Sequence, residues 1–358
     1  MVTNKSISMK YTTHDPINIT NDKKLAAVAN NGTGTVDNPY IIAGWNISDS
    51  PTHGISITGT TKYLRIENCW IERSNDYGIC LDSVAPGTST VANNTCTHNA
   101  KDGISLWYSH STTVANNTCT NNGRSGIFVR NSESSTIAHN TCNDNWWDGT
   151  TFLFSFSSTI TNNTCTNNGN GINLRHLYTS TVTNNICVNN GEGITLGYSD
   201  SSTVVNNICN SNENNGIYFS ISDNNSVAWN SLIGNGNYGI ELADNSDNNS
   251  IHHNNFLTNG QNESQAYDDG TNNQWFNQKV LEGNYWSDYN GTGSYPIAGA
   301  AEAKDPYPSR SLYKYTSETE PQIDLSDLYS LLTRIGLFIL IVGVLGTLLF
   351  VNRRKKSG

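Results

Sequence analysis

The chain has 358 residues, with 30 acidic against 20 basic side chains and a formal net charge of -10. Four of the basic residues, Arg353 to Lys356, sit at the far end, so the rest is more acidic still and unsuited to a nucleic-acid partner. Charged residues are only 14%, and Asn, Ser, Thr and Gly fill the polar quota, unlike a helical protein or a charged disordered tail.

Residues 1–38 are polar and read as an N-terminal cap. Met1 to Lys24 contains no apolar core of the kind a signal peptide needs, so the start is expected to be truncated or misassigned. Residues 39–290 carry a repeat. Cys96, Cys119, Cys142, Cys165, Cys187 and Cys209 recur at steps of 23, 23, 23, 22 and 22 residues, and the same slot holds Ile71 before them and Leu232 and Phe256 after them. A slot that accepts Ile, Cys, Leu and Phe is apolar and inward, so these thiols are expected to be buried and free. Each unit opens with Gly and an alternating pair, as in Gly103-Ile104-Ser105-Leu106, which is strand spacing. A second short strand carries Val or Ile, as at Val114. Two asparagines then bend the chain before the Cys slot. No unit has a helical apolar stripe, so the repeat predicts an all-β, single-stranded parallel β-helix of about ten coils.

Coils about 4.8 Å apart would pile like residues into files. Asn94, Asn117, Asn140, Asn163, Asn185, Asn207, Asn230 and Asn254 form one file, and Asn99 through Asn259 a second, each amide placed to donate to the next. Coils are expected to start at Gly54, Gly78, Gly103, Gly126, Gly149, Gly171, Gly193, Gly216 and Gly239. Residues 291–330 read as a C-terminal cap and a proline-bearing juxtamembrane stalk. Residues 331–352 hold an apolar run long enough to span a bilayer, and 353–358 form a basic tail. The positive-inside rule then places the tail in the cytoplasm and the β-helix outside a single-pass cell-membrane anchor. Asn18, Asn46, Asn248 and Asn290 open glycosylation sequons consistent with that side.

The run Gly283-Asn284-Tyr285-Trp286-Ser287-Asp288-Tyr289, followed by Tyr295-Pro296 and Asp305-Pro306-Tyr307-Pro308, resembles the closing motif of NosD-like right-handed β-helix proteins, a family often labelled periplasmic copper-binding. Gly32-Thr33-Gly34-Thr35 with Asn38-Pro39-Tyr40-Ile41-Ile42 resembles the opening motif of its archaeal cell-surface members. The resemblance covers roughly residues 30 to 310 and implies the fold, together with a place in a wider carbohydrate-binding and sugar-hydrolysis group.

The ligands for copper are poor. The only methionines are Met1 and Met9, the file cysteines are expected to be buried, and His139 and His253 share a slot five coils apart. Asp102, Asp148 and Glu192 share the slot before Gly at every second coil, which spaces them too widely for a tight catalytic pair, so they are expected to be solvated turn residues. Asp144 could join a weak Ca²⁺ site; no other cofactor is expected. The best functional surface is an outward strand face bearing Trp107, Phe128, Arg130, Arg175 and Tyr218, with Trp146 and Trp147 at the neighbouring corner. Rings with flanking Arg and Asn suit sugars. The sequence therefore predicts a non-enzymatic role in carbohydrate binding, adhesion or envelope structure, with a surface glycan or envelope component as partner. The alternatives are a polysaccharide lyase or glycoside hydrolase, and a copper-related accessory protein.

Overall fold

The computed structural model describes residues 11–314, apart from 244 and 261–263. The run at 331–352, the tail at 353–358 and most of the stalk lie outside the described residues. Among the described residues no helix is long and apolar enough to cross a membrane.

Three parallel sheets of twelve, eleven and ten strands wrap one apolar core. Each turn gives one strand to each sheet. In one turn these are Ile104–Trp107 on the Ile–Leu sheet, Thr113–Ala115 on the Val sheet and Thr118–Thr120 on the Cys sheet. Register is exact from turn to turn. Cys96 pairs with Cys119, Cys119 with Cys142, Cys142 with Cys165, Cys165 with Cys187 and Cys187 with Cys209. All six have no exposed surface, and all eight cysteines are free and buried.

The strands are short because the corners need left-handed backbone. In each asparagine pair the first member makes the bend and the second builds the ladder. Asn162 has φ 55°, a region that Asn tolerates better than most residues. Asn163, wholly buried, accepts from the Asn140 amide N–H (2.9 Å) and from Asn140 Nδ2 (3.0 Å), and donates to the Ile137 carbonyl (2.9 Å) and Asn185 Oδ1 (3.0 Å). The second file repeats this at the next corner, where Asn145 donates to Asn168 Oδ1 (3.1 Å) and to the Cys119 carbonyl (3.0 Å). A third polar file, not read from the sequence, closes the remaining corner. The amide N–H groups of Ser158, Ser180, Ser202 and Asn225 bond in succession to the side-chain oxygens of Ser180, Ser202, Asn225 and Asn249. Backbone groups freed at the bends are thus satisfied by side chains.

Both ends of the described stack are covered. The N-terminal segment already contributes strands Thr12–Thr13 and Ile17–Ile19, and helix Asp22–Val28 buries Leu25 over the first turn. At the other end the Cys file runs into Leu232, Phe256 and Trp286. Trp286 stacks on Phe256 at 4.1 Å and on Tyr295 at 4.0 Å. Its Nε1 donates to Asp305 Oδ2 (3.0 Å), and Asp305 also accepts from the Asn284 amide (2.7 Å). Asn284 is the last rung of the first ladder, accepting from Asn254 Nδ2 (3.0 Å). A Cβ on Gly283 would collide with the Asp305 carboxylate, so glycine is required there. The closing motif is therefore the hardware that ends each file.

Candidate functional site

The site is built on the outward side of the Ile–Leu sheet. Ile104, Leu106 and their equivalents point inward, which leaves three outward files. The residue before each Gly gives Asp102, Ser125, Asp148, Asn170, Glu192, Asn215 and Tyr238. The residue between the inward pair gives Ser105, Phe128, Thr151, Asn173, Thr195, Tyr218 and Glu241, and the strand ends give Trp107, Arg130, Leu153 and Arg175.

The first two files make a polar floor. Contrary to the expectation of solvated turn residues, Asp102 and Asp148 are only 3% and 6% exposed. The outward flank is shielded by neighbouring corner and strand side chains, whose lateral packing leaves no trace in a repeat pattern. Asp148 accepts from Thr151 Oγ1 (2.7 Å), Asn170 Nδ2 (2.7 Å) and Asn173 Nδ2 (3.0 Å). Ser125 and Thr151 share a hydroxyl hydrogen bond (2.8 Å), and the Ser125 amide donates to Asp102 (2.9 Å). Further along, Asn215 ties two acids together: its amide N–H donates to Glu192 Oε2 (2.9 Å) and its Nδ2 to Glu241 Oε2 (2.8 Å). Glu192 and Glu241 lie in different files, 49 positions apart in sequence, and no motif spacing would have paired them. Burial pushes the Asp102 carboxyl up to about 7 against the pull of the Ser125 N–H. Burial also pushes Glu192 up to about 7, and Glu241 adds to the rise. Glu241 is raised by burial and by the nearby Asp269. In the two turns after Asp148, the buried Asn173 Oδ1 and Thr195 Oγ1 have no hydrogen-bond partner.

Of the residues expected to bind sugars, Phe128 and Tyr218 lie in the second file of this floor and the others flank it. Trp107, Phe128, Arg130 and Tyr218 are half-buried and Arg175 is exposed. Trp107 donates from Nε1 to Ser105 Oγ (2.8 Å), its ring lies against Phe128 (5.4 Å), and Arg130 covers it at 5.3 Å. On the opposite flank Trp146 is 80% and Trp147 48% exposed, and Arg124 lies over Trp147 at 4.9 Å. Trp146 overhangs an open depression of about 460 Å³ with Gly123, Asn121 and Asp144. One aromatic file was missed. Phe154, His176 and Tyr198, all with left-handed φ, stack at 4.4 and 4.9 Å along the corner after the strand ends. The fifth position after each Gly would have shown it.

Asn18, Asn248 and Asn290 are exposed and Asn46 is half-buried. The exposed Asp144 accepts from Asn167 Nδ2 (3.0 Å). Among the described residues no group of three or more His, Cys, Asp or Glu could hold a metal ion. His252 and His253 bond to one another through their Nδ1 atoms (2.6 Å), and His253 Nε2 bonds Glu282 (2.8 Å). With the thiols sealed and these imidazoles engaged, the described residues do not fit copper.

Fold and surface together define a parallel β-solenoid with one polar, aromatic-flanked face. Residues 26–185 match a family model described as right handed beta helix region, and residues 147–291 one described as periplasmic copper-binding protein (NosD). Together the two matched stretches identify a NosD-like right-handed β-helix over residues 26–291. No curated protein matches it. Among solved structures it is similar to the A-module of the Azotobacter vinelandii mannuronan C-5 epimerase AlgE6, with 14% identity, TM-score 0.55, and 74% of this chain and 80% of that one covered. It is also similar to the Agl-KA catalytic domain (16%, TM-score 0.53, 75% and 62% covered) and to the Dettilon tailspike protein (15%, TM-score 0.50, 72% and 61% covered). The chain thus spans about three fifths of the latter two. At these identities the likeness concerns the fold alone.

Proposed function

We propose that this is a surface protein whose outward Ile–Leu face binds a polysaccharide along the solenoid axis. The observation that carries the reading is the composition of that face. A continuous floor of hydrogen-bonding side chains runs from Asp102 to Glu241, with the acceptors Asn173 Oδ1 and Thr195 Oγ1 unsatisfied and aromatic rings on both flanks. A sugar chain supplies the matching chemistry, hydroxyls that donate and apolar ring faces that stack. Exposed asparagines at Asn18, Asn248 and Asn290 suit an external, glycan-bearing protein. The apolar run at 331–352 and the basic tail after it fit a single-pass anchor with the solenoid outside. Binding of the purified protein to a glycan array tests the face. A Trp107→Ala, Phe128→Ala double substitution is expected to weaken the strongest signals at least tenfold, and wild-type binding by that variant would refute the assignment.

A second reading has its own observation. Glu192, held near 7, and Glu241, joined through Asn215, form a pair of the kind used for general acid–base work on glycosidic bonds. Release of reducing ends or unsaturated sugars from a polysaccharide panel, abolished by Glu192→Gln, would establish an enzyme. Binding without turnover would leave a lectin-like role.

A further inference from the structure

At the C-terminal end of the same face lies a depression of about 480 Å³ whose walls include Tyr238, Tyr267, Glu241, Asp269 and Ile221. Strand register fixes its construction. Tyr218, Glu241 and Tyr267 follow one another in a single outward file. Tyr238 stands beside them in the neighbouring file, its ring 5.3 Å from that of Tyr267. A carboxylate is thus set among three phenol rings, with a second at Asp269 and a third, Glu192, behind Asn215.

Among the described residues none of the ion pairs involves Glu192, Glu241 or Asp269. Burial raises Tyr218 and Tyr238, and the Glu241 charge adds to both. Tyr267 is pushed up to about 12 by its hydrogen bond to Asp269 (2.6 Å) and by the charges around it.

We propose that this depression binds an organic ammonium group, the primary amine of an amino sugar or a free alkylammonium ion. The walls choose between kinds of cation. Glu241 Oε2 is engaged by Asn215 and Asp269 Oδ2 by Tyr267, and among the described residues no ligand set for a metal ion is grouped here. Beside the polar Ser220 and Asn245, the Tyr238 and Tyr267 rings, Ile221 and Ala243 offer π-faces and apolar contact to a weakly hydrated cation bearing carbon substituents. A hard inorganic ion would exchange its water shell for little. Anionic uronate chains meet carboxylates here, so the site opposes them.

The site does not depend on the polysaccharide reading, since a small ammonium ion can fill it alone. Calorimetric titration of the full chain with tetramethylammonium chloride, a glucosamine tetramer and its fully N-acetylated counterpart, at constant ionic strength, tests it. Tetramethylammonium or the glucosamine tetramer is expected to bind at least tenfold more tightly than sodium chloride or the neutral tetramer. Glu241→Gln, which keeps an acceptor for Asn215 and so preserves the fold, is expected to abolish that preference, as is Tyr238→Ala. Binding of tetramethylammonium alone would identify a small-ion site, and preference for the amino tetramer a sugar site; either supports the proposal. Equal binding of the charged and neutral tetramers, or a preference unchanged by Glu241→Gln, overturns it. Equal binding that is lost in the Trp107→Ala, Phe128→Ala variant would overturn the ammonium site while sustaining the polysaccharide face.

Discussion

Asn162 and Asn163 are adjacent and chemically identical, yet the structure assigns them opposite energetics. Replacing Asn163 by Ala removes the acceptor of the Asn140 amide N–H and the donor to the Ile137 carbonyl, both bonded at 2.9 Å and both buried. Asn185 Oδ1 keeps one donor, the backbone N–H of residue 163 (2.9 Å), and Asn140 Nδ2 keeps the Val114 and Ala138 carbonyls (2.9 and 3.0 Å). The Asn140 N–H therefore loses its partner, while the Ile137 carbonyl keeps its place in the parallel ladder with strand Thr159–Thr161, for a loss of roughly 1–3 kcal/mol. Asn162 is exposed with φ 55°, a conformation glycine adopts freely, so Asn162→Gly is expected to stay within about 1 kcal/mol of wild type. Urea denaturation followed by circular dichroism measures both. Slopes must be compared along with midpoints, because a stacked repeat can lose cooperativity and unfold in pieces. Equal losses at the two positions, or a loss below about 1 kcal/mol for Asn163→Ala, would refute the division of labour between bend and ladder.

The remaining predictions concern the core, the acids and the corners. Native protein should leave Cys96 through Cys209 unreacted with a thiol reagent for hours, and denaturant should expose all eight cysteines; rapid native labelling of Cys142 would break the sealed file. Asp102 binds its proton more tightly folded than unfolded, so its contribution to stability is fully present below its ordinary value of 3.8 and is lost as pH rises toward about 7. Stability should therefore fall between pH 4 and 8, by on the order of 4 kcal/mol from this group, with Glu192 adding in the same sense. Asp102→Asn should flatten the slope in urea melts, and an unchanged slope would mean the carboxyl titrates alike in both states. Ile221 occupies a left-handed corner at φ 52°, the costliest place for a β-branched residue, so Ile221→Asn should stabilise by about 1 kcal/mol, seen as a raised urea midpoint.

The architecture could be read from the sequence because stacking turns period into position. Once Cys119 and Cys142 occupy one file, every neighbour's file follows by counting, and even the Cys69 position falls on the first ladder, where its amide donates to Asn94 Oδ1 (3.0 Å). What counting cannot give is the lateral packing across files. Asp102 and Asp148 have the spacing and residue type of surface turns, and only the neighbouring side chains make them buried. The link between Glu192 and Glu241 depends on where the Asn215 amide points, a rotamer choice without a sequence signal. The third polar file changes from Ser to Asn after Ser202, so its identity rests on the oxygen each supplies to the next amide rather than on a repeated residue.

The two 22-residue steps show how the fold shapes the face. From ladder Asn to strand Gly the chain takes four residues at Asn145 to Gly149 and three at Asn168 to Gly171 and at Asn190 to Gly193. The residue removed is a corner residue, so the ledge of Arg124 and Trp147 has no counterpart beside Asn170 and Glu192. Glycine follows the ladder Asn in both turns, and a Cβ on Gly169 would meet the Trp147 carbonyl and one on Gly191 the Gly169 carbonyl, so no side chain can fill the gap. The ledge returns at Glu213 and Asn214. The polar floor is therefore open sideways at the corner beside Glu192. Inserting one serine between Gly191 and Glu192 restores the longer corner without touching Asn190 or Gly193, and insertions at such surface bends are tolerated. The insertion should leave the urea midpoint close to wild type while weakening polysaccharide binding at least tenfold. Undiminished binding by a well-folded insertion variant would show that ligand reaches the floor from above and that the shortened corners serve packing alone.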